Sequence, residues 1–388
     1  MSFTGKATYS AGSSLPEMAE DVSDIVSIVS PYETALLDHL GDPPRAASGT
    51  YHEWLEDELL PNRDAIDQAT FTNATTDTTF GVDHASRFRV GDQVRPDGSA
   101  ELLLVTAVNV GDNEITVVRH YGADAGAAEA LADDQVLHIL GNAALEGDDS
   151  PSARFTNRVR VGNWTQIFTA AVRVSGSDLA VRKVAVADEL DLQKTERLRE
   201  LLRDLENTVV NGAMPTADPQ GSATVRRTMR GIIPTIASNI FKPGVGGFPN
   251  DASLTETQLN LAMRLIWEQA STHIDTIAVN GFQKRRINGF ITSGRAYSAS
   301  DTRYRDLVSV YESDFGVCRV VLCRSVPANA VLLLDSSRID VLPLAGRSFH
   351  YKPLASTGDY EAGEVIGEYT LELRNENAHG IITGLGVS

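Results

Sequence analysis

A long amphipathic segment, VADELDLQKTERLRELLRDLENTVVNG at residues 186–212, constrains the fold more than any other part of the sequence. Acidic residues fill its first turn, which suits the positive end of a helix dipole, and Gly212 is a typical helix stop. Its apolar side chains recur on one helical face: Leu190, Leu198, Leu201, Leu202, Leu205 and Val209. A long helix with one apolar stripe needs a broad partner, so we predict that it lies across a β-sheet.

The composition is that of a folded protein of two or three domains. Its 388 residues are 42% apolar and 22% charged, and no run of eighteen apolar residues predicts a membrane span. The net charge of −18 argues against a protein that coats nucleic acid through a basic surface, but it leaves open a shell that encloses nucleic acid. The N-terminus has no apolar signal core, so secretion is not expected.

Neither a metal site nor a cofactor is predicted. The histidines are scattered, and the zinc-binding spacings H-E-x-x-H and C-x-x-C do not occur. Cys318 and Cys323 are five residues apart on a predicted strand. They therefore point to opposite faces and cannot bridge each other, and we expect both to be core thiols.

Two parts of the N-terminal half are distinctive. Residues 1–48 predict an arm with apolar anchors, including a helix over 16–29 and a further turn or two before Pro43-Pro44. Residues 84–145 alternate apolar and polar with frequent turn signals, which predicts a small β-barrel inserted in a long extended loop. The apolar cluster expected inside this barrel consists of Val94, Leu104, Val105, Ile115, Val117 and Leu137.

The C-terminal half mixes helices and strands and predicts an α+β fold. Ser253 and Glu256 have capping-box spacing before a helix, and a strand follows at 275–281. Residues 282–291 predict a helix with a basic face; that face could contact phosphate, but a solvated helix surface is the simpler explanation. From Asp306 onward the pattern is mostly that of strands.

The tripeptide Asp314-Phe315-Gly316 matches the magnesium-binding signature of protein kinases. A kinase also needs a Gly-rich loop with G-x-G-x-x-G spacing and an H-R-D-type catalytic loop, and the sequence has neither. Asp and Gly are common turn formers, so the tripeptide predicts a turn between two strands. No G-x-S-x-G elbow or other nucleophile–base motif occurs, which favours a structural or binding role over an enzyme.

Taken in order, the segments resemble the major capsid proteins of tailed double-stranded DNA phages, in the branch that has a Hong Kong 97-type fold with an inserted β domain. The resemblance covers nearly the whole chain, although no single motif in it is specific. The matching stretches are EWLEDEL (53–59), NRVRVGNWTQIFTAAVRVSGS (157–177), LRDLENTVVNG (202–212), RTMRGIIPTI (227–236), VSVYESDFG (308–316) and EYTLELRNENAHGII (368–382).

The resemblance implies a division of the chain into four parts. They are an N-terminal arm (1–48), an extended loop (49–180) that carries the β insertion at 84–145, a peripheral domain (181–219 and 346–388) with the spine helix 186–212, and an axial domain (220–345). In the axial domain, Asp314, Phe315 and Gly316 form a hairpin that serves packing and subunit contact.

The resemblance also implies a function, that of a structural protein without enzymatic activity, cofactor or metal. The chain would self-assemble into pentamers and hexamers of an icosahedral shell around double-stranded DNA, in a virion assembled in the host cytoplasm and without membrane contact. Its partners would be other copies of itself and a portal protein, with decoration and scaffolding proteins as further candidates. Two alternatives remain: a nanocompartment shell that holds enzyme cargo, and an enzyme whose site is assembled from residues distant in sequence.

Arms and loops of this fold dock on neighbouring chains, and Arg suits bidentate interface ion pairs better than Lys. Acids around Trp54 and arginines on the flanking extended strands are therefore expected to form contacts between subunits, with Trp54 as the apolar anchor. The candidate residues are Glu53, Trp54, Glu56, Asp57, Arg154, Arg158, Arg160, Trp164 and Arg173.

Overall fold

A computed structural model describes residues 33–57, 59–122, 126–147, 156, 158–181, 188–270, 273–292 and 310–387. The predicted helix over 16–29 lies outside these residues. None of the described helices is long and apolar enough to span a membrane. The chain divides into two compact units, one formed by the described parts of 1–54 and 160–388 and the other by those of 55–159.

The fold is α+β, as the sequence predicts. The helices are α1 (Ala35–Leu40), α2 (Gly176–Ala180), α3 (Glu189–Asn211), α4 (Ile232–Thr235), α5 (Glu256–Gln269) and α6 (Gly281–Thr292). The strands are β1 (Tyr51–Glu56), β2 (Arg63–Ala65), β3 (Thr79–Gly81), β4 (Asp92–Pro96), β5 (Leu103–Asn109), β6 (Glu114–Val118), β7 (Val136–Asn142), β8 (Val159–Trp164), β9 (Gln166–Ser175), β10 (Ile240–Phe241), β11 (Thr276–Val279), β12 (Val310–Ser313), β13 (Gly316–Leu322), β14 (Ala330–Leu334), β15 (Ile339–Pro343), β16 (His350–Leu354), β17 (Tyr360–Leu373) and β18 (Gly380–Thr383).

The predicted spine helix is α3. The Asp188 side chain caps its start by accepting the backbone N–H groups of Leu190 and Asp191. It packs against β9 and β17. The stripe is buried unevenly along the helix: Leu201, Leu205 and Val209 are buried in one large apolar cluster, Leu198 is half-buried against that cluster, and Leu190 and Leu202 are half-buried outside it.

A four-stranded sheet forms the surface under this helix, with the 14-residue β17 at its centre. Along one half, β17 pairs antiparallel with β9 and β16; along the other, it pairs with β15. The two faces of β17 differ in chemistry. Leu371 and Leu373 enter the apolar cluster of α3, whereas the alternate residues Glu368, Thr370 and Glu372 are buried polar groups.

A second sheet of the same unit has six strands in the order β10-β18-β14-β11-β13-β12. Every residue of β11 and β14 is buried, because apolar clusters cover both faces of this sheet. One face adjoins the cluster of α3, and α5 and α6 cover the other. Cys318 and Cys323 lie in the clusters on opposite faces as free thiols, and burial raises the pKa of each to about 12.

The two sheets divide the chain differently from the predicted domain boundaries. Strand β15 falls in the range predicted as axial, 220–345, but it pairs with β17. Strand β18 falls in the range predicted as peripheral, 346–388, but it joins the six-stranded sheet between β10 and β14. The chain therefore passes from one sheet to the other at β15 and again at β18. The single predicted boundary at 345/346 does not include these two passages.

Two local features of the six-stranded sheet concern predicted motifs. The capping box of α5 is formed by Thr255 and Gln258, two residues later than the predicted Ser253 and Glu256. Strands β12 and β13 form an antiparallel hairpin in which Ser313 pairs with Gly316. Asp314 and Phe315 therefore form the turn. Gly316 has φ of +135°, and a Cβ atom there would clash with the His273 ring.

The second unit contains the predicted barrel. Its six strands run in the order β2-β7-β4-β5-β6-β3, and a bridge between Ile66 and Val82 joins the two outer strands and closes the sheet. The barrel begins at residue 63, not at 84, because β2 and β3 belong to it. Leu103 is fully buried in its core and Leu104 is not, because Leu103 shares a face of β5 with the buried Val105 and Leu104 lies on the opposite face.

The bounds of the barrel unit predict which deletion leaves the first unit folded. We expect a variant with residues 57–158 replaced by a two-residue turn between Glu56 and Val159 to keep the first unit folded, because neither of that unit's apolar clusters loses a residue. Circular dichroism and thermal melting would measure this. Deletion of 84–145 is the control, since it leaves β2 and β3 without partner strands and should aggregate. Loss of cooperative unfolding in the first variant would contradict the division.

Candidate assembly surfaces

Strands β1 and β8 form a separate two-stranded sheet, here called the ribbon. Its strands run in opposite directions, since Gly162 lies beside Tyr51 and Arg160 lies beside Glu53. The Tyr51 ring packs 4.5 Å from that of Trp164. A Cβ atom on Gly162 would lie 2.8 Å from the Tyr51 ring. Tyr51, Leu55 and Val159 remain exposed, because a two-stranded sheet has no further layer to cover them.

The charged contact candidates on the ribbon pair within one chain. Glu53 lies 3.7 Å from Arg160, and Asp57 lies 3.7 Å from Arg158. All four side chains are exposed by 40% or more, so each pair is worth only ~0–1 kcal/mol. These four charges therefore have partners within the chain, and their part in contacts between subunits stays a prediction.

The remaining contact candidates lie in different settings. Arg173 stacks over the Tyr360 ring at 4.4 Å within the same chain. Trp54 and Glu56 are half-buried on the ribbon face opposite to Tyr51, and the Trp54 ring lies 6.0 Å from that of His52. Arg154 lies outside the described residues.

A buried carboxylate, Glu372, joins the ribbon and the arm to the four-stranded sheet. Only 1% of its side chain is exposed. His52 of the ribbon lies 2.6 Å from one carboxylate oxygen, Arg45 of the arm lies 2.8 Å from the other, and Arg374 lies 3.5 Å away. Asp340 of β15 also binds Arg45 and Arg374. Burial raises the pKa of Glu372, but the hydrogen bonds from His52 and Arg45 outweigh burial and hold that pKa below its usual value.

A second buried carboxylate, Glu368, lies on the same face of β17. It is bound by Arg227 at 2.5 Å, by Arg347 at 2.9 Å and by the Thr165 hydroxyl at 2.6 Å. Arg227 also donates to the Thr165 carbonyl. Glu368 therefore fixes the junction between β8 and β9 against the sheet.

A third buried carboxylate, Glu206 of α3, holds the arm. One of its oxygens accepts the backbone N–H of Leu36 at 2.9 Å and that of Leu37 at 3.3 Å, at the start of α1. The other oxygen accepts the Cys323 thiol at 3.4 Å. Burial raises the pKa of Glu206. Leu36 itself is fully buried in the apolar cluster of α3, so the described part of the arm is anchored to its own chain.

Sequence reasoning missed these three carboxylates. A signal for two of them is present in EYTLELR, where Glu368, Thr370 and Glu372 alternate with apolar residues and so share one face of the strand. Such a face can equally be solvated. Only the structure shows that it is covered and that its charges are paired.

Within the described residues, one group could supply several metal ligands: Asp64, Asp83 and His84 of the barrel, whose ligand atoms lie within 4.8 Å of one another. Asp64 is already bound by the Arg87 guanidinium at 2.7 Å and by the backbone N–H of His84 at 2.8 Å. The group is therefore explained as an ion-paired turn of the barrel.

Comparison with solved structures shows the fold. A chain from the capsid of a native GTA particle matches with a TM-score of 0.53 at 9% identity, over 99% of this chain and all of that one. The SrpI encapsulin of Synechococcus elongatus PCC 7942 (TM-score 0.44, 10% identity, 60% of this chain and 79% of that one) and a chain of Mycobacterium phage Adephagia (0.42, 12%, 64% and 80%) match less closely. The fold is the Hong Kong 97-type fold of capsid shells.

The family is shown by sequence. The model of the SU10 major capsid protein family matches residues 3–386, so the chain belongs to that family. It is a major capsid protein of a tailed phage, a structural protein of the virion and not an enzyme. No curated protein sequence matches the chain significantly.

Proposed function

We propose that copies of this chain form pentamers and hexamers that close into an icosahedral shell around double-stranded DNA. One observation supports this proposal above the others: the ribbon exposes Tyr51 and Leu55 on one face of a sheet of only two strands. An isolated two-stranded sheet is marginal in water, and a neighbouring copy would supply the missing layer. Closed rings require such head-to-tail contacts between unlike surfaces.

The net charge supports confinement of DNA over binding of DNA. At −18, the chain repels phosphate, so the shell would hold its genome by closure and not by affinity. A portal protein, with decoration and scaffolding proteins as further candidates, would complete the particle, and assembly would take place in the host cytoplasm.

Purified particles test this function. Electron microscopy of the expressed chain should show closed shells, and native particles should contain DNA that resists nuclease. Shells that enclose enzyme cargo and no DNA would favour the nanocompartment alternative. A chain that remains monomeric under all conditions would contradict both functions.

Trp54 lies on the ribbon face opposite to Tyr51, and its replacement tests whether that face also contacts a neighbouring subunit. Aromatic residues dominate interface hot spots, and loss of one costs ~2 kcal/mol or more per contact. We therefore expect Trp54→Ala to give folded capsomers or monomers that do not close into shells, as measured by light scattering and negative-stain imaging. Glu53→Ala should still assemble at moderate salt, because its ion pair is exposed. If Trp54→Ala forms normal shells, then Trp54 does not contribute to a contact between subunits.

A further inference from the structure

The first turns of α6 carry three successive basic residues, Lys284, Arg285 and Arg286, here called the basic turn. None of them forms an ion pair with a carboxylate in the described part of the chain. Lys284 reaches only the Val320 carbonyl at 3.5 Å, and Arg286 reaches only the Ser253 hydroxyl and the Phe282 ring. Arg285 is exposed. In a chain of net charge −18, an exposed basic group without an acidic partner requires an explanation.

Exposed acidic residues without ion-pair partners occur at the β12–β13 hairpin, next to an exposed aromatic side chain. Trp267 at the end of α5 is 59% exposed, and its ring lies 5.9 Å from that of Phe315 in the turn. Asp314 lies in the turn next to Phe315, and Glu312 lies on the adjoining strand β12; both are exposed and form no ion pair with any described residue. We call these four residues, Trp267, Glu312, Asp314 and Phe315, the acidic tip. Exposed Trp residues are common anchors of interfaces, and charged residues such as these acids are typical of the interface rim.

The basic turn and the acidic tip lie at opposite ends of the same strand. A Cβ atom added to Gly281, where α6 begins, would lie 3.9 Å from the Leu322 side chain at the end of β13, whereas the acidic tip precedes Gly316 at the start of β13. Lys284 reaches Val320, four residues after Gly316, so ~13 Å of strand separates it from the turn, and no ion pair joins the two surfaces among the described residues. A surface at each end, with opposite charge, is the arrangement that a head-to-tail ring needs.

We propose that the acidic tip of one copy binds the basic turn of the next copy around a capsomer. This inference rests on the proposed assembly into rings. Trp267 is the apolar anchor of the contact, while Glu312 and Asp314 select the neighbour's basic turn and set the register, as complementary charges do at interfaces.

Two charge-reversed variants test the contact. In Arg285→Glu/Arg286→Glu, the turn carries two acids and one lysine, a net charge of −1, and it faces the unchanged acidic tip of the neighbouring copy, so like charges meet. The same holds for the double variant Glu312→Arg/Asp314→Arg, whose tip is now basic. We expect each variant alone to raise the protein concentration at which assembly begins by about tenfold or more at low salt. Combining all four substitutions in one chain pairs a basic tip with a net acidic turn and should restore assembly.

Mixing the two variants gives a sharper test. In a ring where they alternate, every tip meets a turn of opposite charge, but only an even number of copies can alternate around a ring. The mixture should therefore form hexamers and no pentamers, and so no closed shells. Native mass spectrometry and negative-stain imaging distinguish these products. Rescue by mixing would show that the contact joins separate copies.

Trp267→Ala tests the anchor, with Val245→Ala as the matched control because Val245 is 61% exposed on the same unit. We expect Trp267→Ala to lose shells while its thermal midpoint stays within about 2 °C of the wild type, since an exposed side chain contributes little to folding. Val245→Ala should assemble normally.

Several results would overturn the proposal. Normal assembly of Arg285→Glu/Arg286→Glu with reduced DNA content would assign the basic turn to DNA. A large fall in the melting temperature of unassembled Trp267→Ala would mean that the chain covers its own tip. Failure of the quadruple variant and of the mixture would also reject the contact. In each case the wild-type chain still forms shells, whereas failure of the wild type would reject the proposed function itself.

Discussion

Glu372→Ala is expected to destabilise the first unit by ~3–5 kcal/mol, because removing one partner of a buried ion pair leaves the others uncompensated. Arg45, His52 and Arg374 would all lose their shared carboxylate. Stability totals only ~5–15 kcal/mol for a typical domain, so a large fall in melting temperature should follow. Calorimetry of the unassembled protein measures it.

The control for this variant lies on the same strand. Glu364 pairs with Lys352 at 3.3 Å, but both side chains are partly exposed. Glu364→Ala should therefore cost ~1 kcal/mol or less. Equal effects of the two substitutions would mean that burial does not strengthen the Glu372 contacts. Because Glu372 joins residues of the arm and of the ribbon, Glu372→Ala should also expose the arm to proteases, whereas Glu364→Ala should not.

The lowered pKa of Glu372 predicts the pH dependence of this difference. A carboxyl group whose pKa is lower in the folded state contributes stability above its unfolded pKa, near 4.3, and loses that contribution as the pH falls through its folded pKa. The gap in melting temperature between the wild type and Glu372→Ala should therefore be constant at neutral pH and shrink below about pH 4. A gap that is unchanged down to the lowest measurable pH would contradict the ion-pair explanation.

The sequence predicts best those elements that are long enough to show a repeated apolar spacing. Helix α3 and the strands from β11 to β18 carry enough residues for apolar spacing to mark them. The barrel was predicted from the alternation of β4 to β7, but β2 and β3 have three residues each, too few to show a period. Its beginning was therefore placed about twenty residues too late.

The buried charges could not be predicted, because their partners are remote in sequence. Arg45 and Glu372 are 327 residues apart, and Glu206 and Leu36 are 170 apart. Local patterns indicate which face of a strand is polar, but they do not indicate what covers it. The ribbon charges show the same limit: the sequence marks Glu53 and Arg160 as complementary, and only the structure shows that they pair within one chain.

The last prediction concerns the spine helix, where two leucines allow an internal comparison. Leu205 is 3% exposed inside the apolar cluster, whereas Leu202 on the same helix is half-buried outside it. Leu205→Ala should cost ~2–5 kcal/mol, since it removes buried methyl groups and leaves a cavity. Leu202→Ala should cost about 1 kcal/mol or less, because much of its side chain already faces water. Alanine favours helices, so helix propensity does not separate the two variants.

Denaturant unfolding of unassembled protein measures the two costs, and the yield of soluble shells measures their consequence. We expect Leu205→Ala to lose most of its soluble yield, because the cavity lies where α3 meets both β9 and β17 and every copy in a shell carries it. Leu202→Ala should assemble at wild-type yield. If the two variants unfold at the same denaturant concentration, then the stripe is not buried as described, and α3 is not the element that joins the four-stranded sheet to the rest of the core.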